Sequence, residues 1–124
     1  MLTGDFTPRF FNIMKRFPSI KKNEEFRLIY KEGRSAAGDF LVMYAMSNDG
    51  ADNRIGISVS KKVGNSIVRH RCTRLLRECF RNCRNYMKDG YDIVVVVRAK
   101  AADINYSEMC DCYMDQMRRL NIAE

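Results

Sequence analysis

Histidine is nearly absent from these 124 residues: His70 is the only one, and the five cysteines include no C-x-x-C pair. A nuclease with protein side chains as acid and base needs a His/Lys/carboxylate or paired-carboxylate constellation, and a single histidine set among arginines does not supply one. A zinc site from Cys110, Cys112 and His70 is conceivable but lacks knuckle spacing. The plainer reading is reduced thiols, with Cys72, Cys79 and Cys83 recurring at helical spacing as small apolar core residues. No run of about 18 or more apolar residues occurs, so nothing reads as a bilayer span. Residues 1–16 lack the charged, apolar, small order of a secretory signal. They read as a peripheral, dispensable arm, with the cytoplasm as compartment. Residues 17–124 show no repeat, low-complexity tract or linker, and read as one domain.

Acidic residues are missing from one stretch in particular. SKKVGNSIVRHRCTRLLRECFRNCR, Ser60 to Arg84, holds eight Lys and Arg and one acid, Glu78. The chain totals 22 basic and 15 acidic residues, so 14 bases (22 − 8) face 14 acids (15 − 1) elsewhere. The net charge of +7 is therefore local. A polyanion is the expected partner, nucleic acid before membrane surface.

Asn23–Gly33 reads as a short helix, with Asn23 as N-cap, acids in the first turn and Gly33 closing it. Asp39–Ser47 reads as a strand, and NDGADN after it as a hairpin-type loop. Arg54–Ser60 alternates Ile55, Ile57 and Val59 with small or polar residues, a half-buried strand. A Gly64-Asn65 turn leads into a helix from Ser66 or Ile67 to Met87. Asp92–Ala99 is almost continuously β-branched, as in a strand buried on both faces. Ser107–Leu120 repeats Met109, Tyr113, Met117 and Leu120 at amphipathic spacing. The order helix, strand, strand, helix, strand, helix indicates a mixed α/β sandwich.

On a wheel of roughly 100° per residue, Cys72, Leu75, Leu76, Cys79, Phe80, Cys83, Tyr86 and Met87 share one apolar arc. Arg71, Arg74, Arg77, Arg81 and Arg84 occupy the opposite arc. A solvated charged face would need acids three or four residues away, and Glu78 alone is too little. The helix accepts self-repulsion that an anionic partner removes. Guanidinium forks suit phosphate oxygens, and Lys61, Lys62 and the helix start add to the attraction.

Lys61-Lys62-Val63-Gly64-Asn65, Val68-Arg69-His70-Arg71 and Arg74-Leu75-Leu76-Arg77-Glu78 together resemble the signature of the bacterial ribonuclease P protein subunit. The resemblance runs from Phe17 to Leu120 and includes Lys21 to Phe26. It implies an α+β, two-layer α-β sandwich with an approximately four-stranded mixed sheet and three helices, ordered α-β-β-β-α-β-α, similar to a domain of a ribosomal protein. It also implies a left-handed β-α-β crossover, against the general right-handed rule. In function it implies binding to a catalytic RNA that removes the 5′ leader of precursor transfer RNA, with no catalytic residue in the protein. Magnesium would be held mainly by the RNA, and no protein ligand for it is named. The expected partners are the RNA subunit and precursor transfer RNA, with no membrane and no obligatory protein partner.

Carried over by position, Lys61, Lys62, Asn65, Arg69, His70, Arg71, Arg74 and Arg77 would contact the catalytic RNA. Lys22, Phe26, Tyr30, Tyr44 and Ser58 would line a cleft for the single-stranded leader. Spacing alone places Phe26 and Tyr30 in the core, and the resemblance turns them toward the cleft. Two positions depart from the family pattern: His70 stands where Asn is usual, and Thr73 where Lys is common. A general RNA- or ribosome-binding module is the competing reading, since charge alone does not separate it.

Overall fold

The computed structural model describes residues 18–123; the expected arm, residues 1–16, lies outside them. Among the described residues, three α-helices and four strands follow the order α1 (Asn23–Glu32), β1 (Arg34–Ala37), β2 (Leu41–Ser47), β3 (Arg54–Val59), α2 (Ser66–Asn82), β4 (Tyr91–Val97) and α3 (Tyr106–Arg119). Short 3-10 turns at Arg84–Tyr86 and Ala99–Asp103 flank β4. This is the α-β-β-β-α-β-α order that the resemblance implied. The periodicity had not marked β1, whose sequence RSAA offers neither β-branched residues nor a clear alternation.

The sheet runs β1-β2-β4-β3. Strand β2 is antiparallel to both of its neighbours, β1 and β4, and β3 lies parallel to β4, reached through α2. The loop after β2 is therefore not a hairpin, because β4 inserts between β2 and β3. Ile93, Val94 and Val95 are wholly buried, so the apolar strand takes the centre, where both of its faces are covered.

Alternation divides the sheet into two faces. Leu41, Met43, Ala45, Ile93, Val95 and Val97 point into the main core against Cys72, Leu76, Cys79 and Phe80 of α2 and Met109, Tyr113 and Met117 of α3. Each of the Leu, Met, Ile, Val and Phe side chains among them contributes about 1.5–3 kcal/mol on burial. On the other face, Val94 packs with Ile20 and Ile29, and Phe26, Tyr44, Met46 and Val96 join at the margin. This smaller cluster is what seats α1, and it leaves part of that face uncovered.

The element ends differ from expectation for local reasons. Lys22, not Asn23, is the N-cap residue of α1. Gly33 closes the helix by donating its N–H to Ile29 O, but in extended rather than left-handed backbone. A Cβ there would stand 2.6 Å from Ile29 O and 2.9 Å from Ala45 O, so close approach explains the glycine. The second helix ends at Asn82 rather than Met87, with Cys83 as C-cap. Its last expected turn becomes the 3-10 turn, which leaves Tyr86 exposed instead of in the apolar arc. Asn105 begins α3 with a reciprocal capping box to Glu108.

Candidate nucleic-acid interface

The uncovered part of the second face is a cleft of about 340 Å³ lined by Asn23, Phe26, Arg27, Tyr30, Ile57 and Ser58. Helix α1 brings Phe26 and Tyr30 to it from successive turns, their ring centroids 6.3 Å apart. Tyr44 on β2 meets Tyr30 edge to face at 4.9 Å. Neither helical aromatic is a core residue as spacing suggested. Ile29 takes the buried position, Phe26 is half-buried and Tyr30 is 39% exposed. Gly56 makes the floor shallow enough, since a Cβ on it would stand 2.7 Å from Phe26 Cζ. Lys22 is exposed just before α1 and does not line the cleft.

A partly buried ion-pair network, anchored on Asp92, ties α1 to the sheet. Asp92, 3% exposed at the start of β4, accepts from Arg54 Nε at 3.0 Å and Nη2 at 2.6 Å, and from Asn48 Nδ2 at 2.9 Å. Arg54 Nη2 also reaches Glu25 of α1 at 3.0 Å. Hydrogen bonding to Asp92, opposed by partial burial and helped by Glu25, raises the arginine's proton affinity further above its ordinary value. Arg54 and Asp92 are cross-strand partners in the parallel ladder. They are 38 positions apart, so only the β3–β4 pairing would have revealed them.

The basic surface begins at the turn before α2, where Lys61 and Lys62 are exposed. Asn65 caps the helix, its side-chain oxygen accepting from the Val68 N–H at 3.0 Å, and no acid occupies the first turn. His70, Thr73, Arg74, Arg77, Glu78 and Arg81 then line an open groove of about 520 Å³ along the solvent side of the helix. Glu78 pairs with Arg81, while Arg74 and Arg77 remain exposed on the ridge. Arg69 is half-buried, and its carbonyl accepts from Thr73 Oγ1 at 3.0 Å.

Arg71 differs from its neighbours. Its guanidinium turns toward the 3-10 turn after β4 and donates to Ala102 O at 3.2 Å and Ile104 O at 2.5 Å. Arg84 lies beyond the helix end, so the ridge is shorter than the wheel indicated. Thus the structure gathers Phe26, Tyr30 and Ser58 in one cleft, with Tyr44 touching Tyr30. It sets His70, Arg74 and Arg77 along one groove. His70 on α2 and the two α3 cysteines form no metal centre: no group of three or more His, Cys, Asp or Glu fit to hold an ion occurs among the described residues.

The family model for Ribonuclease P matches residues 14–121. The ribonuclease P protein component of Lachnoclostridium phytofermentans is 49% identical over 96 residues, covering 77% of this chain and 83% of the relative. The solved Staphylococcus aureus RNase P protein superposes with a TM-score of 0.79 at 32% identity, covering 86% of this chain and 98% of that one. The Thermotoga maritima RNase P protein gives a TM-score of 0.76 at 28% identity, covering 82% and 96%.

Proposed function

The chain belongs to the ribonuclease P protein family, and from that premise we propose that its two surfaces divide the work: the ridge on α2 docks on the catalytic RNA and the cleft under α1 holds the 5′ leader of precursor transfer RNA. It is the protein component of ribonuclease P, the endoribonuclease that matures transfer RNA 5′ ends, and its partner is the RNA subunit.

The observation carrying this division is the presence of two chemically different grooves that share no lining residue. One is lined by His70, Arg74, Arg77 and Arg81. Such a surface gains by releasing counterions from phosphate, which makes its affinity strongly salt-dependent. The other presents Phe26, Tyr30 and Ser58 beside Arg27. Aromatic faces of this kind stack bases with little sequence preference, as a leader of variable sequence requires.

The cleft lining holds no carboxylate or imidazole suited to general base work near neutrality, and no catalytic role is assigned to the protein. Magnesium belongs to the same proposal as an ion held mainly by RNA phosphates and water; among the described residues no group of three or more His, Cys, Asp or Glu fit to hold a metal occurs. Held there by the RNA, magnesium would supply an activated nucleophile and charge stabilisation at the leaving oxygen. The protein's part is to hold substrate and RNA in register. The cytoplasm, with no membrane or obligatory protein partner, belongs to the same reading. No helix among the described residues is long and apolar enough to cross a membrane.

The test is reconstitution with a bacterial ribonuclease P RNA at low magnesium and a precursor transfer RNA bearing its leader. Leader release that needs both components is the expected result. Tight RNA binding without any gain in cleavage would overturn the proposal.

A further inference from the structure

Cys79, Cys83 and Cys110 meet at the seam between α2 and α3, apart from both RNA-facing surfaces. Cys79 and Cys83 stand one turn apart, and the Cys83 N–H donates to Cys79 O where α2 ends. Helix α3 sets Cys110 Sγ 3.6 Å from Cys83 Sγ. Cys79 and Cys83 are buried, while Cys110 is half-exposed. The Tyr106 hydroxyl lies 4.0 Å from Cys110 Sγ and accepts from Asn82 Nδ2 at 2.9 Å. Beneath them the Tyr113 hydroxyl is buried with no hydrogen-bond partner among the described residues. Burial, then the nearness of Cys83, Cys79 and Cys110, keeps that phenol protonated.

Each cysteine taken singly fills core space. Their convergence is a different matter, because a gap of 3.6 Å needs only about 1.5 Å of approach to reach disulfide bond length. We propose that Cys83 and Cys110 form an oxidation site, at which a hydroperoxide converts the pair into a disulfide that staples the end of α2 to α3.

The chemistry balances without a further reactant. Cys110, the more accessible thiol, attacks as thiolate on a peroxide oxygen. The O–O bond breaks, giving Cys110 sulfenic acid and releasing water or an alcohol. Cys83 sulfur then attacks the Cys110 sulfur. The S–S bond forms, the S–O bond breaks, and the departing hydroxide leaves as water with the Cys83 proton. With hydrogen peroxide, two thiols lose two electrons and two protons while one peroxide becomes two waters.

Burial, reinforced by the Cys110 thiol, pushes Cys83 up to about 12, so the second step is slow at neutrality and accelerates with pH. The site therefore responds to sustained oxidation. The staple forms on the side of α2 away from the exposed Arg74 and Arg77.

Full-length protein, treated natively with hydrogen peroxide at mildly alkaline pH, alkylated and mapped by mass spectrometry, tests the assignment. The expected result is loss of two of the five thiols, a peptide joining Cys83 to Cys110, and recovery with dithiothreitol. Cys112→Ser should behave like the parent chain, and Cys110→Ser should form no intramolecular disulfide. A main product joining Cys79 or Cys112 would overturn the proposal. So would oxidation of Cys110 that stops short of a cross-link, or retention of all five thiols while a reactive control thiol is consumed.

Discussion

Replacing Gly56 by Ala sets a single methyl group against the floor of the cleft. A Cβ at that position would stand 2.7 Å from Phe26 Cζ, 2.9 Å from its Cε1 and 3.3 Å from Ile20 Cβ. Carbon pairs settle at about 3.5–4.0 Å, so something must move by roughly 1 Å. Gly56 is held in register opposite Val94 of the central strand, which makes the backbone the stiffer party. The Phe26 ring lifts instead, toward the space it shares with Tyr30. Overpacking of this size costs about 1–3 kcal/mol, read as a lower urea midpoint. In the reconstituted enzyme, KM for leader-bearing substrate should rise while affinity for the RNA subunit holds. Phe26→Leu frees space at the point of contact, so the double variant should recover about 1 kcal/mol relative to the summed single losses. Penalties that add within about 0.5 kcal/mol would refute the reasoning, because the methyl would then be meeting something other than the ring.

Arg74→Ala should weaken binding to the RNA subunit and flatten its log–log salt dependence by about 0.7–0.9 for one lost phosphate contact. Arg71→Ala should instead lower stability by about 1–3 kcal/mol in denaturant melts, since its guanidinium serves two backbone carbonyls. Tyr30→Ala should spare RNA-subunit affinity and weaken leader-bearing substrate by roughly 1–3 kcal/mol, with leaderless transfer RNA as the control. Arg54→Ala strands the buried Asp92 carboxylate and should cost about 3 kcal/mol, whereas Glu25→Ala, at the solvent side of the same network, should cost under about 1 kcal/mol. The unfolded Cys83 thiol ionises near 9 and the folded one not until about 12. The unfolded state thus loses its proton first, and stability should fall as pH rises through that window. Cys83→Ala should make the urea midpoint fall less steeply there.

What the sequence revealed depended on how locally each feature is encoded. The strand Tyr91–Val97 and the helix Tyr106–Arg119 carry their periods within a few residues, and both appeared within one residue or two of expectation. Strand β1 did not, because an edge strand of sequence RSAA, with no β-branched or aromatic residue, is formed by pairing to β2 and not by its own preference. The end of α2 was also illegible. Arginine continues past Asn82 at helical spacing, and what stops the helix is a change to 3-10 backbone at Cys83 and Arg84. Among the candidate contacts, spacing read Phe26 and Tyr30 as core and only the resemblance turned them toward a cleft, because their partial exposure depends on Gly56 beneath and Ile29 beside them. Arg71 shows the same limit most sharply. A wheel gives the direction in which its Cα–Cβ bond leaves the helix. It does not show that the chain returning after β4 brings the Ala102 and Ile104 carbonyls within reach.

Strand β3 is the element that the two surfaces share. Ser58 lines the cleft, the strand ends at Val59, Lys61 and Lys62 open the basic surface, and Asn65 caps α2. Asn65 follows Ser58 by seven positions (65 − 58), a path of at most about 25 Å even if fully extended. That path is stiff at both ends. Pairing to β4 runs the whole length of β3, and Pro18 to Ile20 cover its other edge at Ile55. At the turn, Gly64 lies so close to α2 that a Cβ would stand 2.8 Å from Val68 Cβ. A leader stacked in the cleft and a phosphate backbone held at the ridge would therefore be kept at a separation set by backbone geometry. In that arrangement no single arginine fixes the register between substrate and catalytic RNA. Under the proposed division each arginine would add affinity, and the strand and turn would supply the alignment that makes the affinity useful for cleavage.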